Sequence, residues 1–273
     1  MIKLIDGKKI AEKVKDDIAK EIFNFKKSRP NLAIVLVGER EDSKLYVSLK
    51  EKEGFKVGID THVYLLEKNI AEKDLLKVID FLNKDSVIDG ILVQLPLPEK
   101  LDTNKIIKAI DPLKDVDGFH PDHPDYILSP VLAAVKAALE NTKINFKKKS
   151  ACLLYNSEVF GQGLKDTLIS LGISDFLTAQ QSALADVLVT ALGKPETIKA
   201  KDIKEGAVII DISTVKVDGK VRGDVDFASV ENKVAFITPV PGGIGPMTIA
   251  FLLKNVLSIF KLKNNNFKQT IND

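Results

Sequence analysis

Apolar residues recur along this chain in two alternating rhythms. Within residues 8–28, Ile10, Val14, Ile18 and Ile22 stand four apart, the stripe of an amphipathic helix. Leu32-Ala33-Ile34-Val35-Leu36-Val37 then runs unbroken to Gly38, which predicts a buried strand. Glu41-Asp42-Ser43 offers side-chain oxygens to the free N–H groups of a helix start, and a helical segment is expected from there to Gly54. His62 to Leu66 predicts a second strand. Leu75, Val78, Ile79 and Leu82 share one face of a following helix. Ile91-Leu92-Val93 predicts a third strand, stopped by Gln94-Leu95-Pro96-Leu97-Pro98, and residues 101–110 a short helix. Strands alternating with helices predict βαβ units and a parallel sheet.

Asp111 to Pro130 is rich in Pro, Asp and His and reads as the end of a first lobe and a linker. Ser129-Pro130 then opens a helix, with Ser129 as N-cap and Pro130 at the first helical position. The alternation restarts at Ala151-Cys152-Leu153-Leu154. A helix is expected near 161–171, and strands at 175–178, 186–191, 207–211 and 234–237. Pro246 is expected to start a last helix, with Ile249, Leu252, Leu253, Val256 and Ile259 on its apolar side. The polar tail from Asn264 is expected to fray.

Composition narrows the function classes. The 273 residues suffice for one large domain or two modest ones, and 45% apolar with 29% charged residues is ordinary for a globular protein. A formal net charge of +2 provides no one-signed field for nucleic acid or an anionic membrane, so neither partner is expected. We find no apolar run in the sequence that reads as spanning a bilayer. The first residues, MIKLIDGKKIAEKV, carry charges inside their apolar stretch and do not read as a secretory signal, which makes the cytoplasm the default location. Cys152, the only cysteine, sits in an apolar strand and reads as a small buried hydrophobe.

Several positions offer chemistry, each with a plainer reading beside it. Tyr46 and Lys50 are four apart and share a helix face, which alone is satisfied by a surface lysine beside a half-buried tyrosine. Gln94 stands at the carboxyl edge of a parallel sheet, where ligands bind, or simply terminates a strand. Asp115 and Asp117 read as a turn with Asx hydrogen bonds. His120 and His123, with Asp122 and Asp125, match no standard metal spacing, and no metal is expected. Pro239 to Pro246 packs three prolines and three glycines before a helix, a tight turn or a place where backbone approaches a ligand. No G-x-G-x-x-G follows the first strand of the second lobe.

Together these segments resemble the methylenetetrahydrofolate dehydrogenase/cyclohydrolase family. The match is carried, in order, by Ser43-x-x-Tyr46-Val47-x-x-Lys50, Gln94-Leu95-Pro96-Leu97-Pro98, Lys114-Asp115-Val116-Asp117-Gly118-Phe119-His120-Pro121 and Pro239 to Thr248. Ala185 to Val189, Gly193-Lys194-Pro195 and Gly223 to Phe227 support it. The resemblance implies an α/β fold of two lobes with a cleft between them. Residues 1–125 with 246–273 would form a parallel-sheet catalytic lobe, and residues 126–245 a Rossmann-like nucleotide lobe. It implies tetrahydrofolate derivatives as substrates, NADP or NAD as cofactor, and a homodimer. It assigns catalysis to Lys50 as proton-transfer group, with Gln94 tuning it, Tyr46 packing on the folate and Asp117 binding the pterin edge. Pro241, Gly242 and Gly243 would line the folate side. Tyr155, Asn156, Ser157, Ser182 and Thr214 would meet the nucleotide.

The second lobe departs from the pattern. The family usually carries Gly-Arg-Ser where this chain has Tyr155-Asn156-Ser157, and Gly-Ile-Asn where it has Ser213-Thr214-Val215. Tyrosine adds bulk where a pyrophosphate approaches backbone, and loss of the arginine removes a partner for a 2′-phosphate. The loop from Thr178 to Ala185 is shorter than the family's, which implies that a short helix is missing, and the segment between Pro121 and Ser129 is shortened too. Three functions are therefore expected in order: a bifunctional enzyme, a cyclohydrolase without effective hydride transfer, and a non-catalytic folate-binding protein.

Overall fold

The near-continuous apolar runs become parallel strands, as burial on both faces of a sheet requires. In the computed structural model, which describes residues 3–25, 28–124 and 127–270, the chain opens with β1 (Lys3–Leu4) and α1 (Gly7–Phe23). There follow β2 (Asn31–Val37), α2 (Glu41–Val57), β3 (Asp60–Leu66), α3 (Glu72–Lys84), β4 (Gly90–Val93) and α4 (Thr103–Lys108). Next come α5 (Pro130–Asn141), β5 (Ser150–Tyr155), α6 (Glu158–Ser170), β6 (Asp175–Leu177), β7 (Val187–Ala191) and β8 (Val208–Asp211). β9 (Val215–Val217), β10 (Lys220–Arg222), α7 (Phe227–Val230), β11 (Phe236–Ile237) and α8 (Ile244–Thr270) complete the order. The chain divides into two compact units, Glu12–Pro130 with Ile249–Asp273, and Met1–Ala11 with Val131–Thr248.

In the first of these units β2 is the middle of a three-stranded sheet, parallel to β3 and to β4. Its alternate side chains enter two different cores. Leu32, Ile34 and Leu36 pack with Ile18 and Ile22 of α1, Val47 and Val57 of α2, and Ile249, Leu253, Val256 and Phe260 of α8. Ala33, Val35 and Val37 pack with Leu75, Ile79 and Leu82 of α3 and with Ile106 of α4. Helices thus cover both faces, and a single truncation such as Ile34→Ala costs about 2–5 kcal/mol. Asn255, buried on α8, donates to Val116 O and Leu128 O at 2.9 Å each and so holds the segment that follows β4.

The second unit carries a six-stranded sheet in the order β1-β11-β8-β7-β5-β6, with each pairing parallel. Its core includes Cys152, Leu188, Ile209, Val230 and Ile237. β6 lies on one side of β5, and β7, β8 and β11 on the other. The winding reverses between β5 and β7, and a crevice opens there at the carboxyl ends of the strands. β9 and β10 form a separate antiparallel hairpin.

Several local expectations are corrected. The N-cap of α2 is Arg40 rather than the Glu41-Asp42-Ser43 group, because Asp42 is engaged with the Arg40 guanidinium (2.6 Å). α2 also runs past Gly54 to Val57 and closes on Gly58. Pro130 does begin α5, but Ser129 does not cap it with its side chain; its buried hydroxyl takes no hydrogen bond. α8 begins at Ile244 rather than Pro246 and continues through the supposed tail to Thr270. Between Thr178 and Ala185 the shortened loop forms a 3-10 turn, Ala179–Leu184, held by reciprocal Thr178 and Gln181 contacts. The first residues belong with the six-stranded sheet, because Lys3 and Leu4 pair with Phe236 and Ile237. Over Ile244–Asn264, α8 is long and apolar enough to cross a membrane by length and composition, against the sequence expectation. Yet 61% of its most apolar window is buried inside the protein, the mark of a core helix.

Candidate active site

The buried residues of α2 are Ser43, Val47, Lys50, Gly54 and Val57, spaced four and three apart, so Lys50 lies on the face turned to the sheet. It is 9% exposed, and the surface-lysine reading is overturned. Its Nζ donates to Gln94 Oε1 at 2.8 Å. Gln94 follows β4, and its backbone N–H donates to Val35 O (2.9 Å), which continues the strand ladder one residue further. Its Nε2 donates to Leu95 O (2.7 Å), which leaves the amide oxygen facing Lys50. Burial pushes the Lys50 ammonium below its usual range, while the charge of Asp117 works in the opposite direction. Tyr46 stands one turn before Lys50, half-buried.

Asp117 is set by a turn built on Asp115. Ile91 N–H donates to Lys114 O (2.7 Å), which lays this segment beside β4. The buried Asp115 carboxylate accepts the N–H groups of Asp117 (3.0 Å), Gly118 (3.1 Å) and His120 (2.7 Å), the Asx pattern expected from sequence. Asp117, half-buried, is freed to carry chemistry. Burial raises its pKa to about 6; Lys50 pulls it down and Asp115 pushes it further up. A desolvated amine held by an amide, with a carboxylate beside it, can move one proton and hold a ligand's donor groups. An open cavity of about 1060 Å³ at the sheet's carboxyl edge is lined by Gly38, Arg40, Lys68 and Pro96 to Lys100; Lys50, Gln94 and Asp117 do not line it.

His120 serves the turn. Its Nδ1 accepts from Asp122 N–H (3.0 Å) and its Nε2 faces Lys108 O (3.3 Å), while His123 Nδ1 faces Pro124 O (3.1 Å). Asp125 lies outside the described residues, and among those described no group of three metal-ligating side chains gathers. Cys152 is fully buried, and burial pushes its thiol up to about 11.

In the six-stranded unit the expected nucleotide residues gather at the carboxyl edge. Tyr155 ends β5, Asn156 and Ser157 lead into α6, Ser182 lies on the 3-10 turn after β6, and Thr214 follows β8. The Tyr155 ring lies against the first turns of α6. A Cβ on Gly161 would sit 2.2 Å from the ring, so only glycine fits beneath it. The phenol reaches Glu158 Oε2 at 3.5 Å. Asn156 Nδ2 donates to Leu192 O (3.4 Å) across the crevice between β5 and β7. Ser157 is the N-cap of α6 without a side-chain cap bond and stays exposed. The helix start, the Ser157 hydroxyl and the exposed Thr214 suit a dinucleotide. No lysine or arginine lies between Tyr155 and Gly163 to meet a 2′-phosphate, and the Lys165 ammonium is stacked on Phe176 (5.3 Å). Pro241, Gly242 and Gly243 form a tight turn in this unit: a Cβ on Gly243 would meet Pro239 O at 2.6 Å.

Sequence reasoning missed two buried acids in this unit, Asp211 at the end of β8 and Asp224. The only signal was an acid closing the run Val208-Ile209-Ile210 and another set between Gly223 and Val225. Burial pushes Asp211 up to about 7, against backbone N–H donors from Val225, Asp224 and Ser213 that favour its charge.

Comparison with known proteins agrees with this arrangement in both units. The family model of the tetrahydrofolate dehydrogenase/cyclohydrolase catalytic domain matches residues 5–117. The NAD(P)-binding domain of the same family matches residues 130–264. The Bifunctional protein FolD of a Nitratiruptor species is 39% identical over 282 residues, covering 97% of this chain and 100% of the relative. The crystal structure of the bifunctional FolD methylenetetrahydrofolate dehydrogenase/cyclohydrolase from Campylobacter jejuni superposes with a TM-score of 0.91 at 33% identity, covering 96% of this chain and 100% of its own. The Trypanosoma brucei methylenetetrahydrofolate dehydrogenase-cyclohydrolase, complexed with NADP cofactor and inhibitor, gives 0.89 at 28% identity over 96% and 98%. With both domain models matched and a 39% identical relative covering 97% of this chain, the chain belongs to the tetrahydrofolate dehydrogenase/cyclohydrolase family.

Proposed function

We propose that the chain is a bifunctional enzyme that oxidises 5,10-methylenetetrahydrofolate to the 5,10-methenyl form and hydrolyses that product to 10-formyltetrahydrofolate. The observation that carries the reading is the Lys50–Gln94 pair at 2.8 Å on the buried face of α2, with Asp117 acting on the same ammonium. NADP or NAD, when bound, supplies the hydride acceptor for the first reaction. Ser157, Ser182 and Thr214 hold it at the carboxyl edge of the six-stranded sheet, with Asn156 and Tyr155 shaping the crevice.

In the second reaction a water oxygen adds to the cationic methenyl carbon. Lys50, with a pKa lowered by burial, takes a proton from that water and delivers it to the ring nitrogen released as its bond to the carbon breaks. The other water proton leaves to solvent. Gln94 holds Nζ in place and Asp117 accepts the pterin's N–H donors. Tyr46 packs on the folate ring. Homodimerisation and a cytoplasmic setting belong to the same proposal.

A second reading has an observation of its own. With the Tyr155 ring on the first turns of α6, Glu158 beside it and no lysine or arginine between Tyr155 and Gly163, nucleotide binding is weak and discriminates little between NADP and NAD. Methenyltetrahydrofolate hydrolysis and nucleotide titration, run on the same sample, test the two readings. Rapid hydrolysis with no nucleotide bound at millimolar concentration favours the cyclohydrolase alone.

A further inference from the structure

Three consecutive backbone N–H groups after β7 are turned inward. Leu192 N–H donates to Asp224 Oδ2 (2.7 Å), Gly193 N–H to Ser213 Oγ (3.0 Å) and Lys194 N–H to Asp224 Oδ1 (2.7 Å). Successive N–H groups aimed one way make a concave anion site of the kind that elsewhere takes a phosphate. Here the anion is the protein's own. Asp224 is fully buried, and Thr190 Oγ1 and Ser213 Oγ also donate to its Oδ2, at 2.7 Å each. Four donors converge on two oxygens, an arrangement that a carboxylate accepts in full and an amide cannot. The segment bearing Asp224 is itself tied down. Gly223 O accepts from Glu196 N–H (2.9 Å), Asp224 O accepts from Ile198 N–H (3.0 Å), and Val225 N–H donates to Asp211 Oδ2 (2.9 Å).

One carboxylate therefore joins the end of β7, which borders the crevice, to the end of its neighbour β8. With its N–H groups consumed inside, the backbone of the 192–194 loop has only carbonyl oxygens left to offer a ligand, beside the exposed Lys194 side chain. Leu192 O already takes the Asn156 amide, and Gly193 is exposed at the carboxyl edge.

We propose that Asp224 is a positioning residue of the nucleotide crevice: it fills the 192–194 anion cradle from inside, so that the backbone of this loop meets the nucleotide through carbonyl oxygens and recognises its hydroxyl and amide donors, not its phosphates. The inference rests on the nucleotide-binding role of this unit.

Asp224→Asn preserves shape. Its amide nitrogen settles opposite Lys194 N–H, because that side bears one donor and the other bears three, and the cradle opens at Lys194. Ser213→Ala is the milder variant: it removes one donor to Asp224 and the acceptor of Gly193 N–H. For each variant and the wild type, NADP and inorganic pyrophosphate are titrated calorimetrically, KM and kcat for hydride transfer are measured, and methenyltetrahydrofolate hydrolysis is followed in the same samples. In the variants we expect the NADP Kd and the nucleotide KM to rise by at least about tenfold, the scale set by small displacements of a positioning group. Pyrophosphate affinity holds or improves, and kcat changes less than KM. NADP binding within twofold of wild type in both variants overturns the positioning role. So does a parallel loss of pyrophosphate and NADP, which would be general loosening of the unit. If Asp224→Asn does not fold, Ser213→Ala decides by the same criteria. Failure of the wild type itself to bind NADP or NAD removes the nucleotide-binding role, and this inference with it, and is seen before any variant is compared.

Discussion

Lys50→Met removes the ammonium while keeping most of the apolar stem. A positioned acid–base group contributes about 10²–10⁴ in rate, which is about 2.7–5.5 kcal/mol of barrier. Methenyltetrahydrofolate hydrolysis should fall by that range, towards the uncatalysed rate. Stability should change little at neutral pH, for two opposing reasons. The folded-state pKa of Lys50 lies below its unfolded value, so the folded protein carries a penalty for the charged form. That penalty is fully present below the folded pKa and is relieved as pH rises towards 10.5. Methionine removes it. Against that, Gln94 Oε1 loses its donor, which costs about 1–3 kcal/mol when the acceptor stays buried. Wild type should therefore gain on the variant as pH approaches 10 in a series of melting curves. Hydrolysis is read from the decay of methenyl absorbance. A folded Lys50→Met protein that hydrolyses within threefold of wild type would refute the assignment of Lys50.

Gln94→Ala removes an acceptor that favours the Lys50 ammonium, so the pH profile of hydrolysis should move to lower pH by about one unit, the equivalent of a hydrogen bond to a charged group; an unmoved profile with only a raised KM would make Gln94 a binding residue. Asp117→Ala should weaken folate binding by about 1.5–3 kcal/mol in calorimetry, and equal affinity would leave this aspartate a structural turn. Because Asp117 must be ionised to accept donors, wild-type affinity should fall as pH drops through about 6, and Asp117→Asn should flatten that dependence. Tyr155→Gly should tighten NADP binding by clearing the ring from the start of α6; an unchanged Kd would show that the ring does not restrict the crevice.

How much of this was legible in the sequence depended on whether burial followed apolar character. β2 announced itself, since Leu32 to Val37 is buried on both faces and nothing polar interrupts it. The buried face of α2 did not, because it carries Ser43, Lys50 and Gly54 as well as valines, and only the family motif singled out Lys50. A functional site that breaks the hydrophobic rule is hidden from periodicity. β1 was missed because two residues carry no pattern and its partner β11 lies more than two hundred positions away. The β9–β10 hairpin had a local signal, Asp218-Gly219 between two short strands, and both residues take positive φ, 50° and 76°. With flanks of only three residues each, Val215-Lys216-Val217 and Lys220-Val221-Arg222, it passed as loop. Asp224 stood in the Gly223 to Phe227 motif, but its role could not be read there, since its donors come from Thr190 to Lys194 and Ser213, and only the tertiary fold gathers them.

The central claim is that one chain carries out both reactions. The direct test mixes purified protein with 5,10-methylenetetrahydrofolate and either NADP or NAD, and follows reduced nicotinamide absorbance together with 10-formyltetrahydrofolate formed. The account predicts growth of the reduced nicotinamide band at high nucleotide concentration and matching accumulation of the formyl product, with the second lost in Lys50→Met. No reduction of either nucleotide by a preparation that still hydrolyses methenyltetrahydrofolate would contradict it.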